Sequence, residues 1–174
     1  MGASSPTLQV AVTDRVALVR ICGRASFNCS VDFKTLVYEL RERGYRRFVL
    51  DLTGCLIMDS TFLGVLAGFG LKLAEDRADE STVTLLNPNP RILELLDNLG
   101  VAQLFCPVQG AQPLSEKFKD VRHPDGEPNK VETARTCLEA HQILMDLNPA
   151  NIPKFKDVTR FMAEDLKRHE AQKP

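Results

Sequence analysis

RRFVLDL, ending at Leu52, constrains this chain most, because Phe48-Val49-Leu50 is a continuous apolar centre, the mark of a strand covered on both faces. Such a strand needs helices to cover it, and the flanking segments have the right period. Ahead of it, Ser30 stands as an N-cap before Val31, Phe33, Leu36, Val37 and Leu40, with Gly44 as the stop. Behind it, the spacing predicts a helix over 61–78, a strand Thr82–Leu86, and a sharp break at Asn87-Pro88-Asn89-Pro90. Pro90 then opens a helix carrying Ile92, Leu93, Leu95, Leu96 and Leu99 before Gly100, and Val101–Cys106 reads as a last short strand. Upstream, Thr7–Val12 and Val16–Cys22, joined by Thr13-Asp14-Arg15, form a hairpin. The order β, β, α, β, α, β, α, β makes an α/β domain over residues 1–108.

Pro107, Gly110 and Pro113 mark a change of composition, and His123-Pro124-Asp125-Gly126-Glu127-Pro128 is rich in turn residues, so 109–128 reads as a linker. Residues 129–174 form a C-terminal helical extension, with helices over 129–147 and 154–170 separated by Asn148-Pro149-Ala150-Asn151-Ile152-Pro153. One apolar stripe runs through Val131, Ala134, Leu138, His141 or Gln142, and Met145; the other through Phe155, Val158, Phe161, Met162 and Leu166. These stripes could pack on each other, dock on the domain, or pair with a second chain in a homodimer.

The 22 basic and 23 acidic side chains leave a net charge of -1, so no global field draws the chain to nucleic acid or anionic lipid. Phe62–Leu71, the longest apolar stretch, is about half a bilayer span, which excludes membrane insertion as a helix. The start, MGASSPTLQV, lacks a basic segment followed by an apolar one, and a cytoplasmic location is expected. Five cysteines without a CxxC pair read as reduced structural thiols, and three histidines without an HExxH or HxxxH pattern give no metal site; no cofactor is expected.

The junction MDSTFLG, residues 58–64, places an acid and a hydroxyl where a strand gives way to a helix. The first N–H groups of a helix lack partners, so Asp59 or Ser60 would serve as a cap. The same donors favour a phosphate on Ser60, with Asp59 opposing it by like charge. Phe62, Leu63, Val65, Leu66 and Phe69 cannot all face one sheet, so either some are exposed beside Ser60 or the C-terminal helices cover them.

The run VLDLTGCLIMDSTFLGVL, Val49–Leu66, resembles the signature of STAS domains, the anti-sigma factor antagonists of bacterial partner switching, in which a strand leads to D-S-[ST]-G-[LIV]-G at a helix start. Asp59, Ser60, Thr61, Leu63 and Gly64 match; Phe62 replaces the motif's glycine. That ring would either project into a partner or obstruct a kinase. The resemblance implies a STAS-like fold, a mixed sheet with helices packed on it. It also implies a phosphorylation-controlled interaction switch with no catalysis of its own. The unphosphorylated form would bind an anti-sigma factor that is also a serine kinase, phosphorylation at Ser60 would release it, and a serine phosphatase would reverse the step. Asp59, Thr61, Phe62, Leu63, Gly64, Val65 and Leu66 would form the contact surface. The alternative is a non-switching STAS module, such as a subunit of a transporter or signalling complex, with Ser60 only a cap. An enzymatic Ser60 or Cys55 would need the histidine-bearing tail to fold back over the helix start.

Overall fold

The computed structural model describes residues 6–76, 82–113, 117–123 and 126–172. Strands β1 (Thr7–Val12) and β2 (Val16–Ala25) form the expected antiparallel hairpin, and β3 (Arg47–Asp51) and β5 (Thr82–Leu86) extend the sheet in parallel beyond β2. The edges are β6 (Cys106–Val108), parallel to β5, and β7 (Lys119–Asp120), antiparallel to β1, so the order runs β6-β5-β3-β2-β1-β7. A further strand, β4 (Cys55–Met58), pairs in parallel with the end of β2.

Helices α1 (Phe27–Glu42) and α2 (Ser60–Glu75) lie side by side, touching β2 and β5 respectively. Phe48, Leu50, Val83, Leu85, Ala17 and Val19 are buried in a core shared with Phe33, Phe62 and Phe69. Helix α3 (Pro90–Asn98) follows β5, capped by Asn89 with Pro90 in its first turn. The extension is α4 (Lys130–Leu147) and α5 (Ile152–Ala171): α4 packs across both α1 and α2, and α5 packs on α4.

Several boundaries differ from expectation. α1 begins at Phe27 because Ser26, still extended, is the N-cap and accepts from the Asn28 N–H. Ser30 lies inside the helix, its hydroxyl donating back to the Ser26 carbonyl at 2.9 Å. Val101 is no strand start: its N–H bonds Leu96 O, closing α3, and a 3-10 turn over Ala102–Leu104 precedes β6. Pro107 is tolerated in β6 because that strand is an edge. α2 ends at Glu75 with Asp76 as its C-cap; residues 77 and 78 of the expected helix, with Pro124 and Asp125 of the turn-rich stretch, lie outside the described residues.

β3 is not covered equally on both faces, since Val49 is only half-buried where Phe48 and Leu50 are sealed. The second face is closed at one end by Gln112, Pro113 and Phe118. There Arg20 and Asp51, cross-strand neighbours, form a buried ion pair at 2.9 Å. Asp51 also accepts from Gln112 Nε2, Thr53 N and Thr53 Oγ1. Arg20 donates to the Pro113 carbonyl and lies beneath the Phe118 ring, 4.0 Å from its centroid. Part of the stretch expected as linker is thus tied to the sheet by a charge pair.

Candidate functional site

Asp59 is the cap of α2, and it caps more than one element. Its backbone is extended, its Oδ1 accepts from the Phe62 N–H at 2.8 Å, and its Oδ2 accepts from the Phe27 N–H at 2.8 Å. One carboxylate thereby ties the starts of α1 and α2 together. With the capping done by Asp59, the hydroxyl of Ser60, the first helical residue, is free for another partner.

That partner is His141 of α4, whose Nε2 stands 2.8 Å from Ser60 Oγ. His141 Nδ1 lies 2.7 Å from the Cys137 carbonyl oxygen, one turn back on its own helix. A carbonyl can only accept, so Nδ1 carries the proton, and in the neutral ring Nε2 accepts from the Ser60 hydroxyl. The imidazole is 2% exposed and packs edge-on against Phe155 of α5, with centroids 5.1 Å apart. Ser60 itself is half-buried.

The tail therefore does fold back over the helix start, and the apolar residues of α2 are divided between two covers: Phe62, Leu66 and Phe69 join the core with the sheet and α1, while Val65 lies beside Ala140 and Ile143 of α4. Phe62, Leu63 and Leu66 are at most 1% exposed, and Phe62 meets Phe33 with centroids 4.7 Å apart. The Phe62 ring neither projects toward a partner nor stands in a kinase's way; it is core. The face of α2 turned to α4 carries Ser60, Thr61, Gly64 and Gly68. The Thr61 hydroxyl reaches the Cys137 thiol, and a Cβ on Gly64 would fall 2.7 Å from both the carbonyl carbon and the Cβ of Ala140. On Gly68 it would meet Ile143 Cδ1 at 2.8 Å. These two glycines serve close helix-to-helix packing, not helix-to-sheet packing; Gly70 instead faces Leu104 and Phe105.

The cysteines are free thiols. Burial pushes Cys29 and Cys137 up, and Cys55 to about 11, so none of these three is poised as a thiolate nucleophile. Among the described residues no His, Cys, Asp and Glu group could hold a metal ion, and no helix is long and apolar enough to cross a membrane.

A STAS domain model matches residues 7–120 of the sequence. The chain belongs to the STAS domain family. A search of curated proteins found no match to it. Among solved structures, the STAS chain is similar to the anti-sigma factor antagonist SpoIIAA in its unphosphorylated form, at 16% identity and TM-score 0.52, covering 60% of this chain and 89% of that one. It is similar to the Bacillus cell fate determinant SpoIIAA in its phosphorylated form, at 16% identity and TM-score 0.50, covering 60% and 92%. An anti-sigma factor antagonist from Mycobacterium paratuberculosis aligns at 18% identity and TM-score 0.50, covering 59% and 85%. At these identities the likeness is one of fold. The STAS match ends at the last residue of β7, so α4, α5 and His141 lie beyond it.

Proposed function

We propose that this STAS protein is an anti-sigma factor antagonist, a non-catalytic interaction switch whose state is set by phosphate on Ser60. The observation that carries this is a division of labour at the start of α2: Asp59 takes the capping role, leaving the adjacent Ser60 hydroxyl at a helix N-terminus with no structural duty to its own helix. Unphosphorylated, the Ser60 end of α2 binds an anti-sigma factor that is also a serine kinase. Phosphate adds about -1.5 to -2 charge at neutral pH, which repels an apolar or acidic partner surface, and a serine phosphatase restores binding. The contact residues are Asp59, Thr61, Gly64 and Val65, the last three buried against α4 in this structure, with Phe62, Leu63 and Leu66 as the core that holds them in place. A homodimer through the extension would use Val158 and Phe161 of α5, which stay exposed.

In an extract of the cells that make this protein, supplied with γ-labelled ATP, the wild type is expected to take up phosphate on the peptide containing Ser60, and Ser60→Ala to take up none there. No label on that peptide, in an extract that phosphorylates its other substrates, would leave the non-switching STAS module. The 2.8 Å approach of His141 favours one further reading, in which Ser60 is a nucleophile with His141 as its base. Behind His141, however, stands a main-chain carbonyl and no carboxylate. Covalent labelling of Ser60 by a fluorophosphonate would support that reading, and an unlabelled serine would dismiss it.

A further inference from the structure

We propose that α4 and α5 are an intramolecular cap, occupying the Ser60 end of α2 in place of a partner, and that a phosphoryl group on Ser60 displaces it. This rests on the Ser60 switch proposed above and adds to it the element that competes for the site.

α4 presents Cys137, Ala140, His141 and Ile143 to Thr61, Gly64, Ser60 and Gly68, one continuous face of the first turns of α2. The opposite face of α2, with Phe62, Leu66 and Phe69, belongs to the core of sheet, α1 and α2. Lifting α4 would uncover small and hydroxyl-bearing residues of α2 and leave its aromatic rings in place. A face of that kind can be exposed without unfolding the domain.

The contact is sensitive to chemistry at one oxygen. In phosphorylation the Oγ–H bond of Ser60 breaks and an Oγ–P bond forms; the γ-phosphoryl comes from ATP, ADP leaves, and the proton goes to a base of the kinase. The product has no hydroxyl proton to give, so His141 Nε2, inside a 2% exposed ring, loses its donor. The new dianion stands beside the Asp59 carboxylate, in an interface where Gly64 and Ala140 already meet at backbone distance. Two helices in such contact have no slack to admit a phosphate.

The far end of α4 is pinned differently. Asn151 Nδ2 donates to the carbonyls of Leu99 and Leu144 at 2.9 and 2.8 Å, and Asn148 Nδ2 donates to Leu99 O at 3.3 Å. These bonds lie away from Ser60 and make a pivot of the turn between α4 and α5. Near the other end, Gly126 stands ahead of α4 at φ +91°, its N–H bonded to His123 O. On this arrangement the Ser60 end of α4 lifts while the Leu99 end holds.

Hydrogen exchange on the full-length protein tests this. An undocked helical segment of this length is marginal in water, so release speeds its exchange. In Ser60→Glu, amides of residues 134–141 are expected to exchange about 10-fold faster than in wild type, with those of β2, β3 and β5 unchanged. Gly64→Ala, which drives a methyl group into Ala140, is expected to do the same. Amides of 134–141 as slow as wild type or slower in Ser60→Glu would overturn the cap. So would acceleration of the sheet together with α4. Should Ser60→Glu not fold, Gly64→Ala decides by the same criterion. The exchange needs no kinase, so an unlabelled Ser60 would remove the switch without touching this result, and a labelled Ser60 with α4 held fast would remove the cap alone.

Discussion

Replacing Phe62 by glycine, the residue the STAS motif carries at that place, is expected to destabilise this protein by about 4–6 kcal/mol, the sum of a large core truncation and a glycine within a helix. For a chain of this size that corresponds to a fall in Tm of about 10–20 °C, readable by circular dichroism. The physical reason is that the ring is completely buried, tilted against Phe33 with centroids 4.7 Å apart, and sits in the same core as Phe69 and Phe48. No neighbour is free to fill the space it would vacate, since the first turns of α2 are held between the sheet on one side and α4 on the other. A fall of only a few degrees would mean that the ring is not sealed, and would restore Phe62 as a surface residue available to a partner.

Asp51→Ala is the second substitution with a large expected effect, about 3–5 kcal/mol, because it leaves the Arg20 guanidinium buried without its counter-charge. Its pH dependence makes it specific. Burial alone would push the Asp51 carboxyl up, but hydrogen bonds from Thr53, Arg20 and Gln112 outweigh burial and hold it below the usual carboxylate range. A carboxyl that is more acidic folded than unfolded stabilises the fold above its unfolded pKa of about 3.9, and that stabilisation is lost as the pH falls through the folded value. Urea unfolding is therefore expected to show a wide gap between wild type and Asp51→Ala at neutral pH, narrowing as the pH drops below about 4. A gap that stays constant into acid would show that the ion pair contributes nothing through its charge. Gln112, Pro113 and Phe118, which contact this pair, are expected to loosen with it.

Much of the STAS fold follows from periodicity that the sequence displays openly. β3 and β5 alternate a sealed residue with a half-buried one, and α3 ends where Gly100 turns at φ +71°. The position of Ser60 at a strand-to-helix junction was equally legible, since Asp, Ser and Thr in succession suit a helix start and little else. Its real partner was not. His141 is 81 residues away, and the apolar stripe of α4 could be drawn through His141 or Gln142 alike. Only the docking of α4, set by Gly64 and Gly68 on the facing helix, decides which of the two points at Ser60. The nearly all-round apolar start of α2 held a hint, because a helix covered on two sides needs no polar face. Asp51 went unread for a related reason: a carboxylate inside a buried strand signals a buried cation, but nothing local says that Arg20 supplies it. β4 was hidden in a four-residue apolar run too short to separate from a loop.

On the proposed function, phosphate on Ser60 decides whether α2 is available to another protein. Isolating this protein from its own cells, separating the partner-bound pool from the free pool by size, and measuring Ser60 phosphate occupancy in each by mass spectrometry tests this. The bound pool is expected to carry almost no phosphate at Ser60 and the free pool to be enriched in it. Equal occupancy in the two pools, or a bound pool richer in phosphate, would contradict the claim.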